Sequence, residues 1–177
     1  AKAASAVVLD VQSGEIIAMV NQPSFNPNNR KQLRRSDMRN RAVTDVFEPG
    51  STMKPFIVAA GLESGRYRPE TPVSTSPGWY RVGVNTVRDV HDYGQLDVTG
   101  VIRKSSNVGI SKIALSLPQE SIWELFSDLG FGAQTFSGFP GEASGLLPHF
   151  SGWNAIETAT MSFGYGMSAT PLQLAQA

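Results

Sequence analysis

The stretch Glu48-Pro49-Gly50-Ser51-Thr52-Met53-Lys54-Pro55-Phe56, which continues through Ile57-Val58-Ala59-Ala60-Gly61-Leu62, decides how the rest of the chain is interpreted. Its apolar second half predicts a buried helix, and Gly50 predicts a break before that helix. Ser51 is then expected at the helix N-terminus, where backbone N–H groups lack intrahelical partners. Pro55 is tolerated there because a residue in the first turn needs no N–H. Ser51 and Lys54 are three residues apart, so their side chains share one helical face.

The Ser51–Lys54 pair supports two interpretations. A serine hydroxyl is a weak nucleophile at neutral pH and needs a neighbour to take its proton, and a partly desolvated lysine amine can be that base. Alternatively, the serine only caps a helix and the lysine is exposed. With 19 serines and five lysines in 177 residues, the S-x-x-K spacing arises by chance in roughly every second such chain. The motif therefore needs support from elsewhere in the sequence.

The composition is that of a folded globular protein, with 41% hydrophobic and 9% aromatic residues. Fifteen basic residues balance fifteen acidic residues, so the net charge gives no reason to expect nucleic acid as a partner. The absence of cysteine excludes disulfides, thiolate chemistry and cysteine-ligated zinc, and we expect neither a metal nor a cofactor. No apolar run approaches the length of a membrane span.

Local patterns predict short strands and several helices. Apolar residues in 5–11 and 15–20, with a turn signal between them, predict a hairpin. Further helices are predicted at 97–104, 108–115 and 119–129, and from Thr170, which is placed to cap a helix with Pro171 in its first position.

The tripeptide Ser105-Ser106-Asn107 interrupts two apolar helical segments. Serine and asparagine disfavour helix interiors because their side chains bond to the local backbone. The tripeptide is therefore either an N-cap for the second helix or a corner that presents a hydroxyl and an amide to a cleft. The local sequence favours neither alternative.

Four stretches, in the order in which the family has them, resemble a class B penicillin-binding protein, and in particular the division-specific peptidoglycan D,D-transpeptidase of Gram-negative bacteria. They are 38–41, 47–55 with its S-x-x-K element, 104–109 with its S-x-N element, and 163–175. The resemblance covers essentially the whole chain. It implies an α/β (α+β) architecture of the penicillin-binding/β-lactamase-like superfamily, with an N-terminal hairpin of an antiparallel sheet and a helical subdomain.

The resemblance also implies catalytic roles for four residues. Ser51 would attack the D-Ala–D-Ala carbonyl of a peptidoglycan stem peptide, with Lys54 as its base and its own backbone N–H as half of an oxyanion hole. Ser105 would relay a proton between Lys54 and the leaving amine, and Asn107 would hold the substrate amide. β-Lactam antibiotics would acylate the same serine. The residues expected to bind substrate are Ser105, Asn107, Tyr165 and Gly166.

The third motif of the family, K-[ST]-G, is absent, since none of the five lysines precedes Ser/Thr-Gly. In the family it lies further toward the C-terminus, on a strand that lines the cleft. We therefore expect residues 1–177 to be the N-terminal portion of a transpeptidase domain, without an internal domain boundary and without the later strands. Alone, this portion is expected to be weakly active or inactive.

The resemblance places the protein at the periplasmic face of the bacterial inner membrane, held by an N-terminal anchor outside these residues. It implies division-complex membrane proteins as partners, including a glycosyltransferase, besides the stem peptides and β-lactams.

Three other functions would use some of the same residues. A serine β-lactamase would need a carboxylate and a water molecule for deacylation, and Glu142 and Glu157 are the candidate acids, although no pattern places either beside Ser51. A penicillin-sensing receptor domain would share the motifs and use acylation as its signal. A binding scaffold would use Ser51 only as a helix cap.

Overall fold

The computed structural model describes residues 3–29, 31 and 34–177, and these residues form six short strands and seven α-helices. The strands are β1 (Ala4–Leu9), β2 (Ile16–Gln22), β3 (Pro72–Ser74), β4 (Trp79–Val82), β5 (Asn85–Arg88) and β6 (Gln95–Asp97). The helices are α1 (Arg41–Thr44), α2 (Lys54–Glu63), α3 (Val98–Arg103), α4 (Asn107–Leu115), α5 (Gln119–Asp128), α6 (Ala155–Met161) and α7 (Pro171–Gln176). The strands pair as β1–β2, β3–β6 and β4–β5, all antiparallel. The mixed α/β prediction is confirmed.

None of the helices in the described ranges is long and apolar enough to cross a membrane.

Packing divides the described residues into two units. The first contains the described residues up to Phe47, together with Leu129–Leu146 and Ser168–Ala177. The second contains Glu48–Asp128 and Leu147–Met167, and with them every residue for which a catalytic or substrate-binding role is expected. The absence of an internal domain boundary stays a prediction.

The hairpin of the first unit has Ala4 opposite Gln22 and Leu9 opposite Ile16. This pairing confirms the hairpin expected from the sequence. Asp10 closes the connecting turn by accepting two backbone N–H hydrogen bonds, at 2.8 and 2.9 Å. These backbone hydrogen bonds hold the pKa of Asp10 below its ordinary value, because they favour the ionised carboxylate.

Helix α7, also in the first unit, begins with Thr170 as its cap and Pro171 in its first turn, as predicted. The Thr170 hydroxyl accepts the Gln173 N–H at 3.1 Å, and Gln173 Oε1 accepts the Thr170 N–H at 2.8 Å. Gln173 is 1% exposed, and its Nε2 donates to the carbonyls of Ala133 at 2.6 Å and Ser144 at 2.8 Å. One buried amide therefore ties α7 to the irregular segment 129–146.

The core of the second unit lies among α2, α4 and α5, which pack against one another. Their inward side chains are almost completely buried: Ile57, Ile110, Ile113, Ile122 and Phe126. The β4–β5 hairpin covers another part of α4, where Val82 and Val87 pack with Val108 and Ala159. Because α2 and α4 are fixed by this core, the side chains at their N-terminal ends have defined positions.

Candidate active site

Ser51 lies in a 3₁₀ turn, Gly50–Met53, that leads directly into α2. The α-helix therefore begins at Lys54, slightly later than expected from the sequence. The reason is Pro55: it has no N–H to give the Ser51 carbonyl an α-helical bond, so this carbonyl accepts the N–H of Lys54 instead. Ser51 is exposed and makes no capping hydrogen bond to either helical segment, so the helix-cap interpretation finds no support.

The turn that carries Ser51 is held by a close contact between two glycine backbones. Gly50 has a φ of +63° and Gly164 a φ of +82°, and the Gly50 N–H donates to the Gly164 carbonyl at 3.2 Å. A Cβ on Gly164 would lie closer than 3.0 Å to three backbone atoms of Gly50. Both the positive φ and the contact therefore require glycine at position 164.

Lys54 is buried, with 2% of its surface exposed, and its amine has three acceptors within hydrogen-bond distance. The Nζ atom donates to Ser105 Oγ at 2.8 Å, to Asn107 Oδ1 at 2.8 Å and to the Ser105 carbonyl at 2.5 Å. Burial lowers the pKa of Lys54 from 10.5 to about 8, while the negative charge of Asp89 opposes this shift. We call Lys54, Ser105 and Asn107 the lysine cluster.

The interrupting tripeptide caps α4, as one of its two interpretations had it, and also contacts Lys54. Ser106 is the N-cap of α4 and accepts the Gly109 N–H at 2.8 Å. Ser105 and Asn107, on either side of it, face Lys54. Ser105 has a φ of +53°, a left-handed conformation that is uncommon for a residue with a side chain. In this conformation its carbonyl and its hydroxyl contact the same amine.

Asp89 is a functional candidate that sequence analysis missed. Its Oδ2 accepts the Ser106 hydroxyl at 2.6 Å, and its Oδ1 accepts the N–H groups of Asn107 at 2.5 Å and Val108 at 3.0 Å. The preceding Arg88 carbonyl accepts the Asn107 Nδ2 at 3.2 Å. No local pattern marks Asp89, because these partners are 17 to 19 positions away in the sequence.

Tyr165 and Gly166 lie on the loop after α6, and no hydrogen bond joins either of them to the lysine cluster within the described residues. The Gly166 N–H donates to Glu48 Oε1 at 3.1 Å, next to the turn that carries Ser51. Tyr165 is 50% exposed, and its ring packs against Phe163 with 5.8 Å between centroids. Their part in substrate binding stays a prediction.

The two carboxylates considered for a β-lactamase are engaged in local hydrogen bonds. Glu142 accepts bonds from the hydroxyl and N–H groups of Thr135 and Ser137. Glu157 completes a capping box with Asn154 at the start of α6. Within the described residues of the second unit, the Glu157 carboxylate is not hydrogen-bonded to Ser51.

The sequence is similar to that of known cell-wall enzymes. Residues 4–177 match the family described as the penicillin binding protein transpeptidase domain. The chain is 50% identical over its whole length to the probable peptidoglycan D,D-transpeptidase PenA of Neisseria flavescens, and covers 44% of that protein. It is 48% identical, over 99% of its length, to the peptidoglycan D,D-transpeptidase FtsI of Escherichia coli K12, and covers 30% of it. It thus spans less than half the length of these relatives.

Solved structures show the same relationship. The TP domain of Burkholderia pseudomallei penicillin-binding protein 3 has a TM-score of 0.88 and 43% identity, over 98% of this chain and 48% of that one. A peptidoglycan glycosyltransferase from Burkholderia ambifaria has a TM-score of 0.89 and 43% identity, over 98% of this chain and 51% of that one. The chain therefore belongs to the penicillin-binding protein transpeptidase family.

Proposed function

We propose that this chain carries the nucleophile and the base of a serine-type peptidoglycan D,D-transpeptidase, which cross-links stem peptides and is a target of β-lactam antibiotics. The observation that carries the proposal is the buried Lys54 amine, which contacts the S-x-N element and follows the exposed Ser51 by one turn. The similarity to the peptidoglycan D,D-transpeptidases PenA and FtsI supports the same activity.

The environment of Lys54 makes a neutral amine available. With a pKa of about 8, about one amine in ten is neutral at pH 7, whereas at 10.5 only about one in 3,000 would be. Burial therefore increases the supply of base by about 300-fold relative to an exposed lysine. This gain is what a serine without an adjacent histidine needs in order to lose its proton.

The acceptors of Lys54 determine where its lone pair points. The Ser105 carbonyl and Asn107 Oδ1 can only accept, so they take the two hydrogens of the neutral amine. The lone pair is then left for a hydroxyl, either that of Ser105 or that of Ser51. Ser105 Oγ can both donate and accept, so it can pass a proton between Lys54 and a leaving group.

The proposed reaction has two halves. Ser51 Oγ bonds to the penultimate D-Ala carbonyl and gives its proton to Lys54. The bond to the terminal D-Ala nitrogen then breaks, and that nitrogen takes a proton through Ser105 Oγ, which leaves an ester on Ser51. In the second half, the amine of a neighbouring stem attacks the ester carbonyl, the bond to Ser51 Oγ breaks as the new amide forms, and the proton lost by the amine returns to Ser51 Oγ. A β-lactam would enter the first half in the same way, with its ring nitrogen taking the proton.

We further propose that this activity serves septal wall synthesis at the periplasmic face of the inner membrane. The proposed partners are division-complex membrane proteins, including a glycosyltransferase. The similarity to E. coli FtsI supports this assignment. Expression of the full-length protein in cells depleted of FtsI tests it: restored septation is expected, and continued filamentation despite normal expression would contradict it.

The activity is tested by labelling the full-length protein with a fluorescent penicillin and locating the adduct by mass spectrometry. We expect one adduct, on Ser51, and none in Ser51→Ala. Ser64→Ala is the matched control, since Ser64 lies at the other end of α2 and donates to the Gly61 carbonyl. Undiminished labelling of Ser51→Ala would contradict the proposal and favour the scaffold alternative.

Two further outcomes would favour the other enzymatic or signalling alternatives. Rapid release of hydrolysed antibiotic would indicate a β-lactamase. Acylation without any cross-linking of stem peptides would indicate a penicillin-sensing receptor.

A further inference from the structure

We propose that Asp89 is a positioning residue for the reaction: its carboxylate holds the N-terminus of α4 so that Ser105 and Asn107 face Lys54. This inference deepens the proposed function and rests on it. It assigns a role to a residue outside both sequence motifs.

The carboxylate of Asp89 completes the hydrogen bonding of the first turn of α4. The first four N–H groups of a helix have no intrahelical partner. Here the N–H of Ser106 donates to the Val101 carbonyl, those of Asn107 and Val108 donate to Asp89 Oδ1, and that of Gly109 donates to Ser106 Oγ. An anion at this end of a helix is also stabilised by the helix dipole.

The same carboxylate also holds Ser106, the residue between Ser105 and Asn107. Asp89 Oδ2 accepts the Ser106 hydroxyl at 2.6 Å, and Ser106 joins Ser105 to Asn107. A shift of Ser106 would therefore move the neighbouring side chains on both sides. Reacting groups displaced by about 1 Å can lose about 10²-fold in rate.

Asp89 is itself held from the β4–β5 hairpin. It follows β5 directly, and its N–H donates to the Gly78 carbonyl at 2.9 Å. The adjacent Arg88 carbonyl accepts Asn107 Nδ2 at 3.2 Å, while Asn107 Oδ1 accepts from Lys54. The amide of Asn107 is thus fixed on one side by the hairpin and on the other by the lysine.

The charge of Asp89 also acts on Lys54. Burial lowers the pKa of the amine and Asp89 raises it, so the carboxylate limits how far the amine is deprotonated. Among the charged groups of the described residues, it is Asp89 that acts on this amine. The Lys104 ammonium, next to Ser105 in the sequence, lies over the Tyr93 ring, 6.0 Å from its centroid.

The test is the rate of β-lactam acylation of the full-length protein as a function of pH, for Asp89→Ala, Asp89→Asn and Asp89→Glu. We expect Asp89→Ala to react about 10²-fold more slowly. Asp89→Asn can still accept the two backbone N–H groups, so it should lose only about tenfold. In Asp89→Asn the acid limb of the profile should move to lower pH, because the charge that favours protonated Lys54 is gone. Asp89→Glu, which keeps the charge, should leave the limb in place.

Asp97→Ala is the matched control. Asp97 caps α3 by accepting the Gly100 N–H at 2.6 Å, so its loss removes a capping carboxylate that does not contact the lysine cluster. We expect a lower melting temperature but an unchanged acylation rate per folded molecule and an unchanged pH profile. If Asp89→Ala does not fold, Asp89→Asn decides.

Two outcomes overturn the inference. In the first, Asp89→Asn has the acylation rate of wild type and the acid limb of its pH profile stays in place. In the second, the acylation rates of all Asp89 variants fall only as much as the amount of folded protein, and the acid limb does not move. An NMR titration of the Lys54 ¹³Cε resonance in wild type and Asp89→Asn distinguishes failure of the Asp89 inference from failure of the proposed function. A lower pKa in the variant supports the coupling even if no penicillin adduct forms, and an unchanged pKa contradicts it. Wild-type protein that is never acylated would instead overturn the proposed function.

Discussion

The Nζ atom of Lys54 lies 2.8 Å from Oδ1 of Asn107, although the two residues are 53 positions apart in the sequence. Helix α2 fixes the lysine and helix α4 fixes the asparagine, so the geometry of the amine depends on the packing of these two helices. The consequences for activity and stability can be measured separately.

Replacement of Lys54 by methionine is expected to lower the rate of β-lactam acylation by about 10²- to 10⁴-fold, the range that a general base contributes. Methionine keeps an unbranched buried side chain but has no amine. The rate of fluorescent-penicillin labelling of the full-length protein measures the effect. Lys112→Met is the control, because Lys112 Nζ donates to the Ser74 carbonyl at 2.6 Å and not to the lysine cluster. Equal rates for Lys54→Met and wild type would remove Lys54 from the role of base.

Lys54 also gives the stability of the fold a defined pH dependence. The pKa of Lys54 is about 8 in the folded protein and 10.5 for an ordinary lysine. Below about pH 8 the amine is protonated in both states, and the folded state carries the full cost of the buried charge, about 3 kcal/mol. Between about pH 8 and 10.5 the folded state releases its proton first, so the free energy of unfolding rises by about this amount.

Urea unfolding of wild type and Lys54→Met across this pH range isolates the contribution of Lys54, because the other titrating groups are common to both proteins. The difference in unfolding free energy, wild type minus variant, should increase with pH. Parallel curves would show that Lys54 keeps an ordinary pKa in the folded state.

Gly164→Ala is expected to destabilise the second unit by about 2–5 kcal/mol, because the methyl group adds backbone strain and an overlap with Gly50. Gly65→Ala separates the two effects, since Gly65 has a φ of +71° but nothing within 4 Å of the added carbon. Its cost should be only about 1 kcal/mol. Denaturant unfolding compares the two variants. Similar losses of unfolding free energy for both would mean that the Gly50 backbone can move away from the added methyl group at little energetic cost.

Gln173→Met tests the first unit. Methionine fills the buried space but leaves the Ala133 and Ser144 carbonyls and the Thr170 N–H without their partner. Each unsatisfied group costs about 1–3 kcal/mol, so we expect a loss of at least about 3 kcal/mol in unfolding experiments. Gln176→Met, at an exposed position of the same helix, should change stability by less than about 0.5 kcal/mol. A small effect at position 173 would show that water replaces the lost hydrogen bonds.

The sequence predicted those elements whose formation depends on residues close to one another in the chain. The β1–β2 hairpin follows from two apolar runs around a turn, and the start of α7 follows from Thr170 and Pro171. The S-x-x-K and S-x-N elements pointed to Lys54, Ser105 and Asn107, and the structure brings these three together. Each of these predictions depended on residues within a few positions of one another or on a motif of known order.

Contacts between distant segments could not be predicted in this way. In the sequence, Asp89 belongs to no motif and simply follows a short strand. Only the fold shows that it lies at the N-terminus of α4. The contact between Gly50 and Gly164 is likewise invisible locally, because many glycines in this chain have positive φ. The 3₁₀ turn at Ser51 could be predicted from the local sequence, because the missing N–H of Pro55 leaves the Ser51 carbonyl without an α-helical partner.

The left-handed backbone of Ser105 restricts how this position can evolve. Threonine carries the same hydroxyl and would be the first substitution to preserve the proposed proton transfer, but a β-branched side chain is strongly disfavoured at a φ of +53°. Glycine would relax the backbone and lose the hydroxyl. Under the proposed function, no single substitution at position 105 keeps both this backbone conformation and the hydroxyl, so we expect adaptive change at the residues around it.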